Sequence, residues 1–232
     1  MDPKKLFADA RFGCACVYCG GAPNTRDHVP SKVLLDDPLP DNLPVVHACN
    51  KCNNAFSADE EYFACFLECL LTGAASPADC SRENIKRKLS EKPLLASRVF
   101  SSARSTNGGL VWIPKADRVR NVVMKLARGH AAYELAAPQL DEPEIIKFVP
   151  LSHLSPEQRV DFENAGAGGL RGWPEIGSRA FLRACGAPPF RDQPGPWIIV
   201  QPGRYRYSVD EHGDITVQMV VAEYLACCVV WS

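Results

Sequence analysis

Two Cys-x-x-Cys pairs, Cys16/Cys19 and Cys49/Cys52, are the residues of this chain whose type and spacing most directly imply chemistry. Four thiolates can close a tetrahedral zinc site, because each short turn presents two sulfurs to one ion. A site closed in this way is structural, and it clamps the ends of the segment between the pairs. That segment carries Asp27-His28, and Asn53 follows the last cysteine directly. An imidazole titrates near neutral pH, so His28 suits the role of a general base. Asp27 beside it is a hard oxygen ligand for Mg²⁺ or a similar ion, and Asn53 offers a second oxygen. Zinc ligation by Cys52 would position Asn53, so one structural ion would orient both halves of a catalytic site. A base on water and a cation on phosphate, held in line, are what metal-assisted phosphodiester cleavage requires.

Other candidates compete for the metal. Cys14 lies two residues before Cys16 and His47 two before Cys49, and either is an alternative ligand. Cys65 and Cys69 have i,i+4 spacing, but Phe63, Phe66, Leu67 and Leu70 around them favour burial. Cys185, Cys227 and Cys228 sit in apolar surroundings and read as buried thiols, and Cys80 has no evident partner. His130, His153 and His212 read as structural. For Asp27-His28 the bland alternative is a pair that only buttresses a zinc ribbon.

The elements that must carry these residues follow from punctuation and periodicity. Pro23, Pro30, Pro38, Pro40 and Pro44 between the pairs exclude a long helix and leave short strands and ordered loop. Ser57 with Glu60 marks a capping box opening an amphipathic helix that ends near Gly73. The order expected is strand, loop, strand, helix. A mainly helical zone follows over 78–136. Within it Val119, Val122, Val123 and Leu126 share one face of a helix from Arg118 to about Ala136. Arg118, Lys125 and Arg128 are expected on the opposite face, where exposed cations suit phosphate contacts. Residues 144–232 read as α+β: a strand at 144–151, a helix at 155–164, and strands at 197–209 and 215–231 around the turn DEHGD. Two regions are expected, residues 1–75 holding the cysteine module and 76–232 holding the rest.

Composition narrows the class. The 232 residues are 46% hydrophobic and 23% charged, with ample apolar material for a core. No run reaches the roughly 18 apolar residues of a membrane span. The opening MDPKKLFADARFG has the features of neither a signal nor a transit peptide, so a cytoplasmic protein is expected. Eleven cysteines, an odd number, then fit metal ligation better than disulfides. The net charge of −1 hides an uneven distribution. Residues 82–128 carry 12 Lys and Arg against 3 Asp and Glu, while both flanks are acidic. A basic block of this kind suits a phosphate backbone, and equally a solvated surface.

The run CVYCG…RDHVP…DNLPVVHACNKCNN resembles the HNH endonuclease family, of the ββα-metal fold, in its zinc-containing form with two Cys-x-x-Cys pairs. The Cys-Asn ending is similar to the variant whose last metal ligand is Asn rather than His, as in endonuclease VII-type resolvases. The resemblance covers about residues 14–60 and is silent on the remainder. It implies that Asp27 and Asn53 bind a catalytic Mg²⁺ or Mn²⁺ and that His28 is the general base. It also implies that Asn42 stabilises the loop orienting His28, and that Cys16, Cys19, Cys49 and Cys52 hold structural Zn²⁺. The sequence departs from the family in the loop SKVLLDDPLPD, where Asp36, Asp37 and Asp41 would repel DNA unless they face away.

The fold expected is therefore α+β, a ββα-metal zinc module followed by a helical basic region and an α+β C-terminal region. The function expected is a metal-dependent endonuclease acting on DNA, in restriction or phage defence, as a homodimer or under a regulatory partner. The alternatives are a non-catalytic zinc-ribbon adaptor that binds nucleic acid or a partner protein through residues 82–128, and a nuclease directed at RNA.

Overall fold

The computed structural model describes residues 14–41, 43–107, 109–164, 174–188, 190, 193 and 195–232. The chain is mixed α+β. It divides into two compact units, one of residues 1–53 with 123–232 and one of residues 54–122, and two long helices run across the division.

In the first unit, strands β1 (Thr25–His28) and β2 (Val45–Ala48) pair antiparallel, with Asp27 opposite Val46 and His28 opposite Val45. Helix α1 (Asn50–Thr72) starts two residues after β2. Ser57 was expected to open this helix, yet it lies inside it. The real start is capped by groups that a search for Ser or Thr does not find. The Asn50 N–H donates to Asn24 Oδ1 at 2.7 Å, and the Cys52 N–H donates to the Cys49 thiol at 3.4 Å. The helix ends where expected, at Gly73 with φ +66°.

The C-terminal part of this unit is one five-stranded antiparallel sheet of order β5-β9-β8-β7-β6. Its strands are β5 (Ile145–Pro150), β6 (Ile198–Gln201), β7 (Tyr205–Glu211), β8 (Ile215–Val221) and β9 (Leu225–Trp231). The two long strands expected after Trp197 are four, because each is folded by a tight turn. Gly203 turns the first with φ +74°, and Ala222 and Glu223 turn the second with φ of +55° and +47°. Alternation sends successive residues of β8 to opposite faces. Val220 packs with Leu151, Phe162, Trp197 and Ala226 on one face, where a short helix (Pro156–Asn164) lies. On the other, Tyr207 lies across from Met219 and stacks its ring at 3.7 Å on His130.

The second unit holds most of α1, then α2 (Glu83–Glu91), α3 (Pro93–Phe100), the hairpin β3 (Ala103–Thr106) with β4 (Gly109–Trp112), and the start of α4 (Ala116–Leu135). The hairpin interrupts a zone expected to be mainly helical. Tyr62, Phe63, Ile85, Leu89, Val99, Val119 and Val122 are all buried here. Tyr62 donates to or accepts from Ser102 Oγ at 3.1 Å and accepts from the Lys115 N–H at 3.0 Å. No helix among the described residues is long and apolar enough to cross a membrane.

Candidate metal centre and its polar neighbour

Each Cys-x-x-Cys pair forms a tight turn. In the first, the N–H groups of Cys19 and Gly20 donate to the Cys16 carbonyl, and Gly20 takes φ +71°. In the second, Cys49 caps α1, and the Asn53 N–H donates to the Cys49 carbonyl at 3.0 Å. The Val17 N–H donates to the His47 carbonyl at 3.0 Å and ties one turn to the other. The four Sγ atoms of Cys16, Cys19, Cys49 and Cys52 lie within 4.8 Å of one another. Cys19 and Cys49 sulfurs are 3.8 Å apart. A tetrahedron with Zn–S bonds of about 2.3 Å has edges of about 3.8 Å, so the spacing fits a metal ion such as zinc. Neither Cys14 nor His47 belongs to this group.

The thiols are electrostatically unequal. Cys49 is lowered to about 7, first by the N–H hydrogen bond from Cys52 at the helix start. Cys52 and Cys16 are raised, each first by burial. Four adjacent thiols resist joint ionisation, and a divalent cation relieves that conflict by drawing off all the protons.

Asp27 lies one strand away from the thiols. It is 8% exposed, and its neighbours were not legible in the sequence. The Lys125 ammonium stands 2.7 Å from Asp27 Oδ2, and the Tyr18 hydroxyl donates to the same oxygen at 2.9 Å. Lys125 also donates to Ser31 Oγ at 2.9 Å and is 0% exposed. This corrects the reading of Lys125 as an exposed phosphate contact. Lys125 follows Val122 by three positions, so it borders the buried face of α4, and the Asp27 carboxylate draws it inward. Four residues on, helix α4 closely approaches Val29, the residue that follows β1. A Cβ at Gly129 would stand 2.6 Å from Val29 Cγ2.

His28 ends β1, half-buried, and alternation directs it away from the face of Asp27. The Asn53 amide reaches back to β1, its Nδ2 3.4 Å from Thr25 Oγ1 and 3.5 Å from the Arg26 carbonyl. Asn42 lies outside the described residues. Asp27 and Asn53 are hard oxygen donors of the kind Mg²⁺ or Mn²⁺ takes, and both contacts to Asp27 end on Oδ2, leaving Oδ1 outside them. On that chemistry the two residues fit such an ion.

The remaining basic candidates are held by protein acceptors. Arg118 Nη1 is 3.1 Å from Asp59 Oδ1, and Arg128 donates to the carbonyls of Leu140 and Asp141 at 3.1 and 2.9 Å. Lys88 and Lys92 both close on Glu61, at 3.0 and 2.7 Å. The acidic loop also has an internal outlet, since Asp36 pairs with Arg204 and exchanges backbone hydrogen bonds with the Gln201 side chain.

Three further groups of reactive residue types were not assembled by sequence reasoning. Cys80 does have a partner: its sulfur is 3.9 Å from that of Cys69, and both are buried. Cys185, expected to be buried, is exposed on the last turn after a short helix (Arg179–Ala184). In the first unit, His130 Nε2 is 2.8 Å from the Tyr205 hydroxyl, and Tyr207 donates to Glu134, which also accepts the Ala180 N–H at 2.7 Å. Burial first, then the Arg179 charge, holds His130 well below its ordinary range. No sequence signal points to this network beyond the i,i+4 placement of His130 and Glu134. No family model, curated protein or solved structure matches the chain.

Proposed function

We propose that the chain is a metal-dependent phosphodiesterase of the ββα-metal, HNH-like type, with DNA as its substrate. One observation carries the reading. A hairpin whose first strand ends in Asp27-His28 runs into a helix whose first turn returns Asn53 to that strand, and four clustered thiols brace the junction. In this reading Cys16, Cys19, Cys49 and Cys52 hold a structural zinc ion. His28 accepts the proton of the attacking water. Asp27 and Asn53 would hold a Mg²⁺ or Mn²⁺ ion, which would supply Lewis-acid stabilisation of charge on the phosphate. Arg118 and Arg128 add positive charge along one helix.

The Asp27–Lys125 pair favours a second reading, a zinc ribbon in which Asp27 only buttresses the fold and the protein binds nucleic acid without cutting it. Incubation of supercoiled plasmid with EDTA, Mg²⁺ or Mn²⁺ separates the two. The nuclease reading expects nicking or linearisation that needs the added ion. Retardation of the plasmid without conversion, indifferent to the ion, would favour the adaptor and end the nuclease reading for DNA. The same assay on a structured RNA decides between the two nucleic acids.

A further inference from the structure

We propose that Lys125, far outside the cysteine segment, sets how strongly Asp27 holds a divalent cation; the inference rests on reading Asp27 as a ligand of that ion. Two donors, Lys125 Nζ at 2.7 Å and the Tyr18 hydroxyl at 2.9 Å, converge on Asp27 Oδ2. Two bonds on one oxygen hold the carboxylate in place and leave Oδ1 outside both of them. Partners of a ligating carboxylate orient it in this way.

Lys125 also brings a charge. Its side chain is wholly buried and anchored on Ser31 Oγ at 2.9 Å, so the ammonium cannot swing into solvent when another cation arrives. An ion at Oδ1 would then stand a few ångströms from a fixed positive charge, away from the screening of bulk water. Orientation favours binding and repulsion opposes it. Tyr18 supplies orientation whether or not Lys125 is charged, whereas the repulsion exists only while Lys125 carries its charge. Repulsion therefore wins. Lys125 is a positioning residue that keeps the affinity of Asp27 for a divalent ion low.

Mn²⁺ binding to the full-length, zinc-loaded protein, followed by the electron paramagnetic resonance signal of free Mn²⁺, tests this without any activity readout. Lys125→Gln keeps an N–H donor for Asp27 and removes the charge. The dissociation constant should fall about tenfold or more in this variant, and the gain should vanish when Asp27→Asn is added. An Asp27-dependent Mn²⁺ site whose affinity is unchanged or weaker in Lys125→Gln would overturn the inference while sparing the proposed site. Mn²⁺ binding indifferent to Asp27→Asn in every background would overturn both. Zinc content and circular dichroism report whether each variant is folded. If Lys125→Gln does not fold, Lys125→Arg decides: it keeps the charge, so its affinity should match the wild type, and a tenfold gain would contradict the inference.

Discussion

The Lys125 ammonium lies 2.7 Å from Asp27 Oδ2, and neither residue of this pair reaches bulk solvent appreciably. A buried pair of this kind is costly to break from one side, because the partner left behind is an uncompensated charge. Lys125→Met and Asp27→Asn should each destabilise the first unit, with Lys125→Met costing about 3–5 kcal/mol. The double variant should cost less than the sum of the singles. Urea unfolding of the four proteins in a double-mutant cycle measures the coupling. Additive losses would mean that the pair is not an energetic unit.

Zinc ligation by the four thiols would make metal binding part of the folding energy. Cys49→Ser should lose zinc and with it the junction between the two turns, the hairpin β1–β2 and the start of α1. A chelator added to the wild type should produce the same loss of structure, reversed by zinc. Because the ligands are thiolates, the wild type should give up zinc more readily as pH falls. A zinc-replete, natively folded Cys49→Ser protein would contradict the four-thiolate site.

Gly129 is inside a helix, where glycine is ordinarily unfavourable relative to alanine by about 1 kcal/mol. Its place is explained by the close approach of Val29, whose Cγ2 and Cγ1 would be 2.6 and 3.0 Å from an added Cβ. Gly129→Ala should therefore destabilise the protein, by about 1–3 kcal/mol, against the usual direction of that change. Val29→Ala in the same chain should recover part of the loss. Stabilisation by Gly129→Ala alone would show that α4 does not press on Val29.

The ion pairs beneath the sheet give a pH dependence. Glu163 receives two hydrogen bonds from Arg206, at 2.6 and 2.9 Å, and the guanidinium lies 4.4 Å from the centre of the Trp197 ring. Those bonds hold the Glu163 carboxyl below its usual range, more than burial raises it. A carboxyl lowered by folding contributes stability that is complete above its unfolded value of about 4.3. That contribution fades as pH drops through the lower folded value. Wild type should thus exceed Glu163→Gln in unfolding free energy near neutrality, and the two should converge in acid. A constant difference across the acid range would assign the effect to packing.

The chemistry-bearing residues of the hairpin were legible because they are local. Two cysteines three apart must form a turn, and prolines between the pairs leave room only for short strands. Helix α4 was legible from the spacing of Val119, Val122, Val123 and Leu126, all of which are buried. The contents of its polar face were not. Periodicity places Lys125 on a helix but is blind to the acidic side chain that meets it, and Asp27 is far away in sequence. The start of α1 was missed because a thiol and a distant asparagine cap it. The turn at Ala222-Glu223 was missed for a related reason: two ordinary residues take positive φ where glycine or asparagine would have announced it. Cys80 found its partner only in three dimensions.

In the proposed mechanism His28, at the end of β1, takes the proton from the attacking water. The most direct test compares wild type and His28→Ala on supercoiled plasmid in Mg²⁺ or Mn²⁺, with zinc content and the urea midpoint measured on the same preparations. Cleavage by the wild type that is lost in the variant, at equal zinc content and stability, is the outcome predicted. Equal specific activity in the two proteins would contradict it and place the chemistry elsewhere.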